Sequence, residues 1–177
     1  MSAEQSSSFA ELGVPEALVA SLAGRGIAAP FPIQVSTLPD TLAGRDVLGR
    51  GRTGSGKTLS AFLWSLDRLF HERLSRSDEA ASSDTPSQDT AEKPACRVLY
   101  ISPLKALAVD VERNLRSPLV GIEQAAARMG QSVPSISVAT RSGDTPAAER
   151  RAFAKRPSDI LITTPESLFL LLTSAAR

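Results

Sequence analysis

Apolar positions recur at helical spacing along much of the chain. Leu18, Val19 and Leu22 share one face between Val14 and Ala23, where Pro15 suits a first-turn position and Gly24 can end the helix. Pro30 and Pro32 force an extended approach to a second helix, expected from Pro32 towards Leu42 and disturbed at Pro39. The longest stripe is Leu59, Phe62, Leu63, Leu66, Leu69, Phe70 and Leu74. Short apolar runs separate the helical stretches. Asp46-Val47-Leu48 can end a buried strand, and Arg97–Ile101, Val133–Ala139 and Asp159–Thr163 read as three more. Helices follow these runs: one from Lys105 to about Leu115, further helical residues near 118–130, and one through Phe153 with Thr145 as N-cap and Pro146 first in the helix. Thr164-Pro165-Glu166 opens a last helix that carries Leu168, Leu171 and Leu172. Strands alternating with helices predict an α/β fold around a parallel sheet covered on both faces.

The polar stretches set the limits. Residues 1–8 read as a loose tail. Residues 75–95 mix serines and threonines with Asp78, Glu79, Asp84, Asp89 and Glu92 and hold almost nothing apolar, so they read as a disordered surface insert. The 177 residues suit about one domain, here 9–177, and at 42% hydrophobic they can build a core. A net charge of +1 leaves no bulk basic field, so any nucleic-acid binding must come from local placement. Cys96 is the one cysteine; it excludes an internal disulfide framework, suits a reducing cytosol, and reads as packed in an apolar run. His71 is the one histidine, which leaves zinc sites and histidine-based triads almost nothing to work with. No apolar run nears the roughly 18 residues of a membrane span, and the start lacks a basic and an apolar signal region. A soluble, cytoplasmic protein with no membrane partner is expected.

The most informative stretch is Gly51-Arg52-Thr53-Gly54-Ser55-Gly56-Lys57-Thr58, which fits the phosphate-loop pattern G-x-x-x-x-G-K-[ST] between a strand-like run and a helical stripe. Its glycines permit backbone angles closed to residues with a Cβ, so that successive N–H groups can form an anion nest. The helix that follows aims about half a positive charge at the same place. In this pattern Lys57 reaches the β- and γ-phosphates and the Thr58 hydroxyl holds Mg²⁺. A site for a nucleoside triphosphate with Mg²⁺ is expected over Arg52, Thr53, Gly54, Ser55, Gly56, Lys57 and Thr58.

Two further sets of residues carry a resemblance. Phe9 followed by Gly26-Ile27-x-x-Pro30-x-x-Ile33-Gln34 resembles the Q motif of DEAD-box helicases. The resemblance implies that Gln34 pairs with the adenine edge, as an amide can with N6 and N7, and that Phe9 packs on the base. From Leu59 onward, Ala61-Phe62-Leu63-Trp64, Pro103-Leu104-Lys105-Ala106-Leu107, Gly143-Asp144-Thr145 and Thr163-Thr164-Pro165-Glu166-Ser167-Leu168 resemble Lhr-type (large helicase-related) helicases. The order of segments is similar to the first RecA-like domain of superfamily 2 helicases, which implies a parallel-sheet, RecA-like P-loop NTPase fold. The change from one likeness to the other falls at Thr58–Leu59 and reads as a join between two helicase types.

The Lhr resemblance implies ATP-dependent translocation on single-stranded DNA with unwinding of duplexes, RNA:DNA hybrids included; the DEAD-box likeness keeps an RNA substrate open. It also implies where a strand is held: Ser102, Pro103 and Lys105 in motif Ia, Arg141, Gly143, Asp144 and Thr145 around motif Ib, and Thr163, Thr164, Pro165 and Glu166 after the next strand. Each follows a strand at its carboxyl end, where open α/β sheets take ligands. Helix N-termini there offer N–H groups to phosphates and Lys105 offers charge, contacts that read backbone and not sequence. Arg150, Arg151, Lys155 and Arg156 read as a solvated basic helix face. The 177 residues hold no Asp-Glu-x-[His/Asp] segment in a strand context and no second RecA-like domain. The expectation is therefore a helicase domain truncated before Walker B and inactive alone, with a non-catalytic nucleotide- or nucleic-acid-binding remnant as the alternative.

Overall fold

The computed structural model describes residues 7–82, 94–128 and 135–173. The chain divides into two compact units, Met1–Glu72 with Pro118–Val133, and Arg73–Ser117 with Pro134–Arg177.

In the first unit, Ser8 and Glu11 cap each other. The Ser8 N–H donates to the Glu11 carboxylate (2.7 Å) and the Glu11 N–H to the Ser8 hydroxyl (3.2 Å), a reciprocal capping box. This draws Ser8 out of the expected tail, of which residues 1–6 lie outside the described residues, and presents Phe9 to the core, where it is buried. Helix α1 (Glu16–Gly24) and α2 (Pro32–Leu42) follow. Pro39 does not break α2: the neighbouring Thr37 and Thr41 hydroxyls donate to carbonyls three or four residues back along the helix. Helix α3 (Lys57–Ser82) buries the predicted stripe, with Phe62, Leu63, Leu66, Leu69 and Phe70 all in the core.

Two expectations in this region are corrected. Asp46-Val47-Leu48 forms no strand: it pairs with none among the described residues, and Leu48 is 98% exposed. A strand needs a ladder partner as well as apolar letters. The polar insert also starts later than 75, because α3 continues through Ser82. Extending an existing helix costs far less than nucleating one, and Asp78-Glu79-Ala80-Ala81 contains good helix formers. Residues 83–93 lie outside the described residues.

The second unit holds the sheet. Strands β1 (Val98–Ile101), β2 (Val138–Arg141) and β3 (Ile160–Thr163) are parallel in the order β1-β3-β2. Helix α4 (Lys105–Arg128) links β1 to β2, α5 (Ala147–Lys155) links β2 to β3, and α6 (Pro165–Thr173) follows β3. This is the predicted alternation and a RecA-like α/β arrangement. The two helical stretches expected before and after Ser117 are one helix, with Pro118 inside it. Burial on both faces holds for central β3, whose four residues are all buried, but not for edge strand β1, where Leu99 and Ile101 stand open. Strand β2 begins at Val138; of the expected stretch, Val133 and Pro134 lie outside the described residues, and 135–137 are not strand. The Ser137 N–H and hydroxyl are both taken by the Asp159 carboxylate (2.8 and 2.7 Å), which starts the ladder one residue later. The Asp159 carbonyl accepts from Arg97 and Val98 N–H (2.9 Å each), so one residue ties the starts of all three strands.

Thr145 is not the N-cap of α5. Pro146 occupies that position in an extended conformation (φ −55°, ψ 147°), and the Thr145 hydroxyl instead accepts the Ser142 N–H (2.8 Å), closing the turn after β2. Thr164 does cap its helix: its hydroxyl accepts from Ser167 N–H (3.5 Å) and its carbonyl from Leu168 N–H (2.9 Å). Cys96 is exposed, not packed, because it precedes β1 and its thiol turns to the Val98 carbonyl (3.4 Å). No helix among the described residues is long and apolar enough to cross a membrane.

Candidate functional site

The phosphate-loop pattern folds as a tight turn that runs straight into α3, which begins at Lys57. Gly54 (φ +79°) and Gly56 (φ +86°) take the left-handed backbone their positions need. At Gly56 the space is also closed, since a Cβ would lie 2.7 Å from Gln34 Nε2 and 2.9 Å from Phe31 Cδ2. The Ser55 N–H donates to the Arg52 carbonyl (3.2 Å), but the Ser55 hydroxyl is buried in the loop without a partner. A buried hydroxyl with nothing to bond normally costs about 1–3 kcal/mol, so an orphan here marks a place where a ligand oxygen fits. Lys57 folds back, donating from Nζ to the carbonyls of Gly51 (2.7 Å) and Arg52 (2.6 Å). Those are neutral acceptors that an anionic phosphate outbids. Cradle, orphaned hydroxyl, ammonium and helix N-terminus all fit a polyphosphate. Thr58 stands in the first turn of α3. Among the described residues no group of three or more His, Cys, Asp or Glu side chains could hold a metal ion by itself.

Gln34 is brought to this loop. It is the third residue of α2, wholly buried, and its amide is engaged at both ends: Oε1 accepts the N–H of the helix cap Phe31 (2.8 Å), and Nε2 donates to the carbonyl of Gly56 (3.1 Å). The first bond is half of a capping box, and the second fastens α2 to the phosphate loop. Thr37 and Ser60 add a second fastening between α2 and α3, hydroxyl to hydroxyl at 2.5 Å. Phe9, expected to pack on the base, lies at 1% exposure in the core of the same unit.

The residues expected to hold a strand gather at one edge of the sheet. Ile101 and Arg141 both stand opposite Thr163 in the ladder, so the three segments that follow leave the sheet from one row. Within that row the roles divide. Ser102 and Thr163 are buried and tie the strand ends together: Ser102 N–H donates to the Thr163 carbonyl and the Thr163 hydroxyl to the Arg141 carbonyl, both at 2.8 Å. Thr164 is buried as a helix cap, and Arg141 and Thr145 are half-buried. Pro103, Lys105, Gly143, Asp144, Pro165 and Glu166 are exposed. Lys105 and Asp144 form an ion pair across the edge, so the lysine charge is part-neutralised. The Glu166 carboxylate accepts from its own N–H and then from the Thr164 hydroxyl, which holds it below the usual glutamate range and keeps it charged at the head of α6.

One feature near the row is not displayed by the letters of the sequence. Of the basic residues in α5 and just after it, Arg150 and Arg156 line a concavity with β2, whereas Arg151 and Lys155 do not. Only the placement of α5 against the sheet separates the two pairs.

Comparison with known proteins agrees with these features. A family profile described as DEAD/DEAH box helicase matches residues 31–177. The chain is 55% identical over 150 residues, 85% of its length, to the Lhr helicase/probable uracil glycosylase of Mycolicibacterium smegmatis, and 45% identical over 153 residues (86%) to the Lhr helicase/uracil glycosylase of Escherichia coli. It spans 9% of each of those relatives. The solved Mycobacterium smegmatis helicase Lhr, bound to ssDNA and AMP-PNP, superposes with a TM-score of 0.74 at 49% identity, covering 93% of this chain and 19% of that one. The stretch from Leu59 to Arg177 is shorter than the 150 residues matched, so the Lhr likeness continues ahead of Leu59 across the phosphate loop. This overturns the join expected at Thr58–Leu59. Two helicase types share the front segment, and one relative accounts for both sides.

Proposed function

Because the chain belongs to the DEAD/DEAH box helicase family, we propose that residues 9–177 are the ATP-binding and strand-binding part of an ATP-dependent helicase acting on single-stranded DNA. The observation that carries the reading is the phosphate loop, where a left-handed glycine turn, the partnerless Ser55 hydroxyl and the α3 N-terminus converge. ATP is the nucleotide favoured, since the Lhr relative was solved with AMP-PNP. Loop N–H groups cradle the phosphates, Lys57 exchanges its two carbonyl acceptors for phosphate oxygens, and Thr58 supplies an oxygen to Mg²⁺. The metal would neutralise phosphate charge when bound. Gln34, by its place against Gly56, links base recognition to the loop. The strand lies along the row formed by residues 102–105, 141–145 and 163–166, exposed members touching backbone and buried ones fixing their positions. The ssDNA of the relative supports DNA over RNA. The lone free Cys96 supports a reducing compartment, the cytoplasm.

Calorimetric titration of the 177-residue chain tests this. ATP is expected to bind with Mg²⁺, and Lys57→Ala to weaken it about ten- to a hundred-fold, the worth of a hydrogen bond to a charged group. No turnover is expected from these residues alone, as they hold no Asp-Glu-x-[His/Asp] segment to bind the metal and orient water. Equal ATP affinity in wild type and Lys57→Ala would remove the reading.

A further inference from the structure

A concavity on the outer side of β2 lies beside the proposed strand-binding row and takes no part in it. It encloses about 560 Å³ between β2, α5 and the first half of α4, within the range of ligand sites, about 300–1,000 Å³. Four arginines, Arg116, Arg141, Arg150 and Arg156, line it against two acids, Glu112 and Glu149. The acids do not balance the arginines. Glu112 is spent on Arg116 (2.5 Å) and on the Thr140 hydroxyl (2.6 Å). The guanidinium groups of Arg141, Arg150 and Arg156 make no ion pair among the described residues, which leaves three positive charges facing Glu149 alone. Burial first, and the charge of nearby Arg150 second, lower the basicity of Arg141.

The strand adds donors to the charge. Ser137 and Arg141 turn their carbonyls to β3, accepting from Ile160 N–H and from the Thr163 hydroxyl. By the two-residue alternation of a strand, Val138 and Thr140 then aim their N–H groups at the outer edge, where no described strand pairs with β2. Unpaired edge N–H groups beside uncompensated guanidiniums suit a phosphate oxygen. The concavity begins at Arg141, the residue that opens the 141–145 turn of the strand-holding row, and reaches along α5 to Arg156.

We infer that this groove carries the sugar–phosphate backbone of the bound single strand beyond the 141–145 turn, with Arg150 and Arg156 each holding a phosphate. The inference rests on the proposed strand-binding row. Phosphodiesters are favoured over a compact anion because Arg150 and Arg156 stand six positions apart, roughly 9 Å along a helix axis, too far for one small anion to bridge.

The test is fluorescence anisotropy of a labelled oligothymidylate with the 177-residue chain across a salt series. For single strands each phosphate contact contributes ~0.7 to the slope of log affinity against log salt. Arg150→Gln/Arg156→Gln is expected to reduce that slope by about 1.4, two contacts' worth, and Glu149→Gln to tighten binding. Both arginines are exposed, and matching circular dichroism establishes that the variant folds. Wild type that binds the strand with a slope the double variant shares would overturn the groove and leave the strand-binding row standing. Wild type that binds no strand overturns both. Stabilisation by inorganic phosphate alone that the double variant loses, with the strand's slope unchanged, would make the groove a free-anion site and overturn its assignment to the strand.

Discussion

Replacing Gln34 separates two roles that a single side chain has been given. Its carboxamide is wholly buried, caps α2 through Phe31 N–H and holds the Gly56 carbonyl. Gln34→Ala strands both partners, each at about 1–3 kcal/mol, so a loss of roughly 2–6 kcal/mol follows with no nucleotide present. For a chain of this length a kcal/mol is worth about 2–4 °C in Tm, which places the fall at around 10 °C. The assay is thermal unfolding of the nucleotide-free protein followed by ATP and GTP titration. Gln34→Glu is the partner variant: it keeps an acceptor for Phe31 N–H but loses the donor to Gly56. It is expected to unfold earlier than wild type and to bind every nucleotide more weakly, with the loop unfastened. A Gln34→Ala protein as stable as wild type that loses ATP and keeps GTP would refute this. The amide would then be a free adenine reader, and neither hydrogen bond would matter to the fold.

Two further outcomes follow from the second unit. Asp159→Ala removes the acceptor shared by the Ser137 N–H and hydroxyl at the start of β2 and β3, and a loss of about 2–4 kcal/mol is expected in urea unfolding; unchanged stability would mean that those bonds are exchanged for water at no cost. Burial raises the Glu112 carboxyl, but the Thr140 hydroxyl and the Arg116 guanidinium outweigh it and leave the group below its ordinary value of about 4.3. A lowered acid adds stability above that value and loses it as pH falls through the folded one, so wild type should surpass Glu112→Gln at pH 7 and converge with it in acid. A gap between them that widens in acid would reverse the sign.

The order of elements was legible because the signals were redundant. At β3 an apolar run and the helix opening at Thr164-Pro165-Glu166 agree, and the structure differs from the expected strand by one residue. The phosphate loop was legible for a similar reason, since its glycines, lysine and threonine are fixed by backbone angles and charge that any such loop must supply. What failed were inferences from a single local cue. Thr145 followed by proline reads as a cap, but the proline took the extended cap position and the hydroxyl turned back to Ser142. Val47 and Leu48 read as strand, but a ladder partner lies elsewhere in the sequence and cannot be read from their own side chains.

The basic residues of α5 show the same limit in the direction of function. Arg150, Arg151, Lys155 and Arg156 are equivalent as letters, and a nine-residue helix with no buried residue gives no stripe to orient it. Only its docking beside β2 turns Arg150 and Arg156 inward, towards an edge whose acids are outnumbered. Charge count therefore underestimates this chain. A net charge of +1 excludes a bulk field, but a phosphate responds to the few guanidiniums within reach, screened over a Debye length of about 8 Å at physiological salt. Over that distance three unpaired arginines and one glutamate matter more than the balance of the other charges. A nearly neutral sequence can thus hold a polyanion wherever the fold gathers its positive charges without their partners.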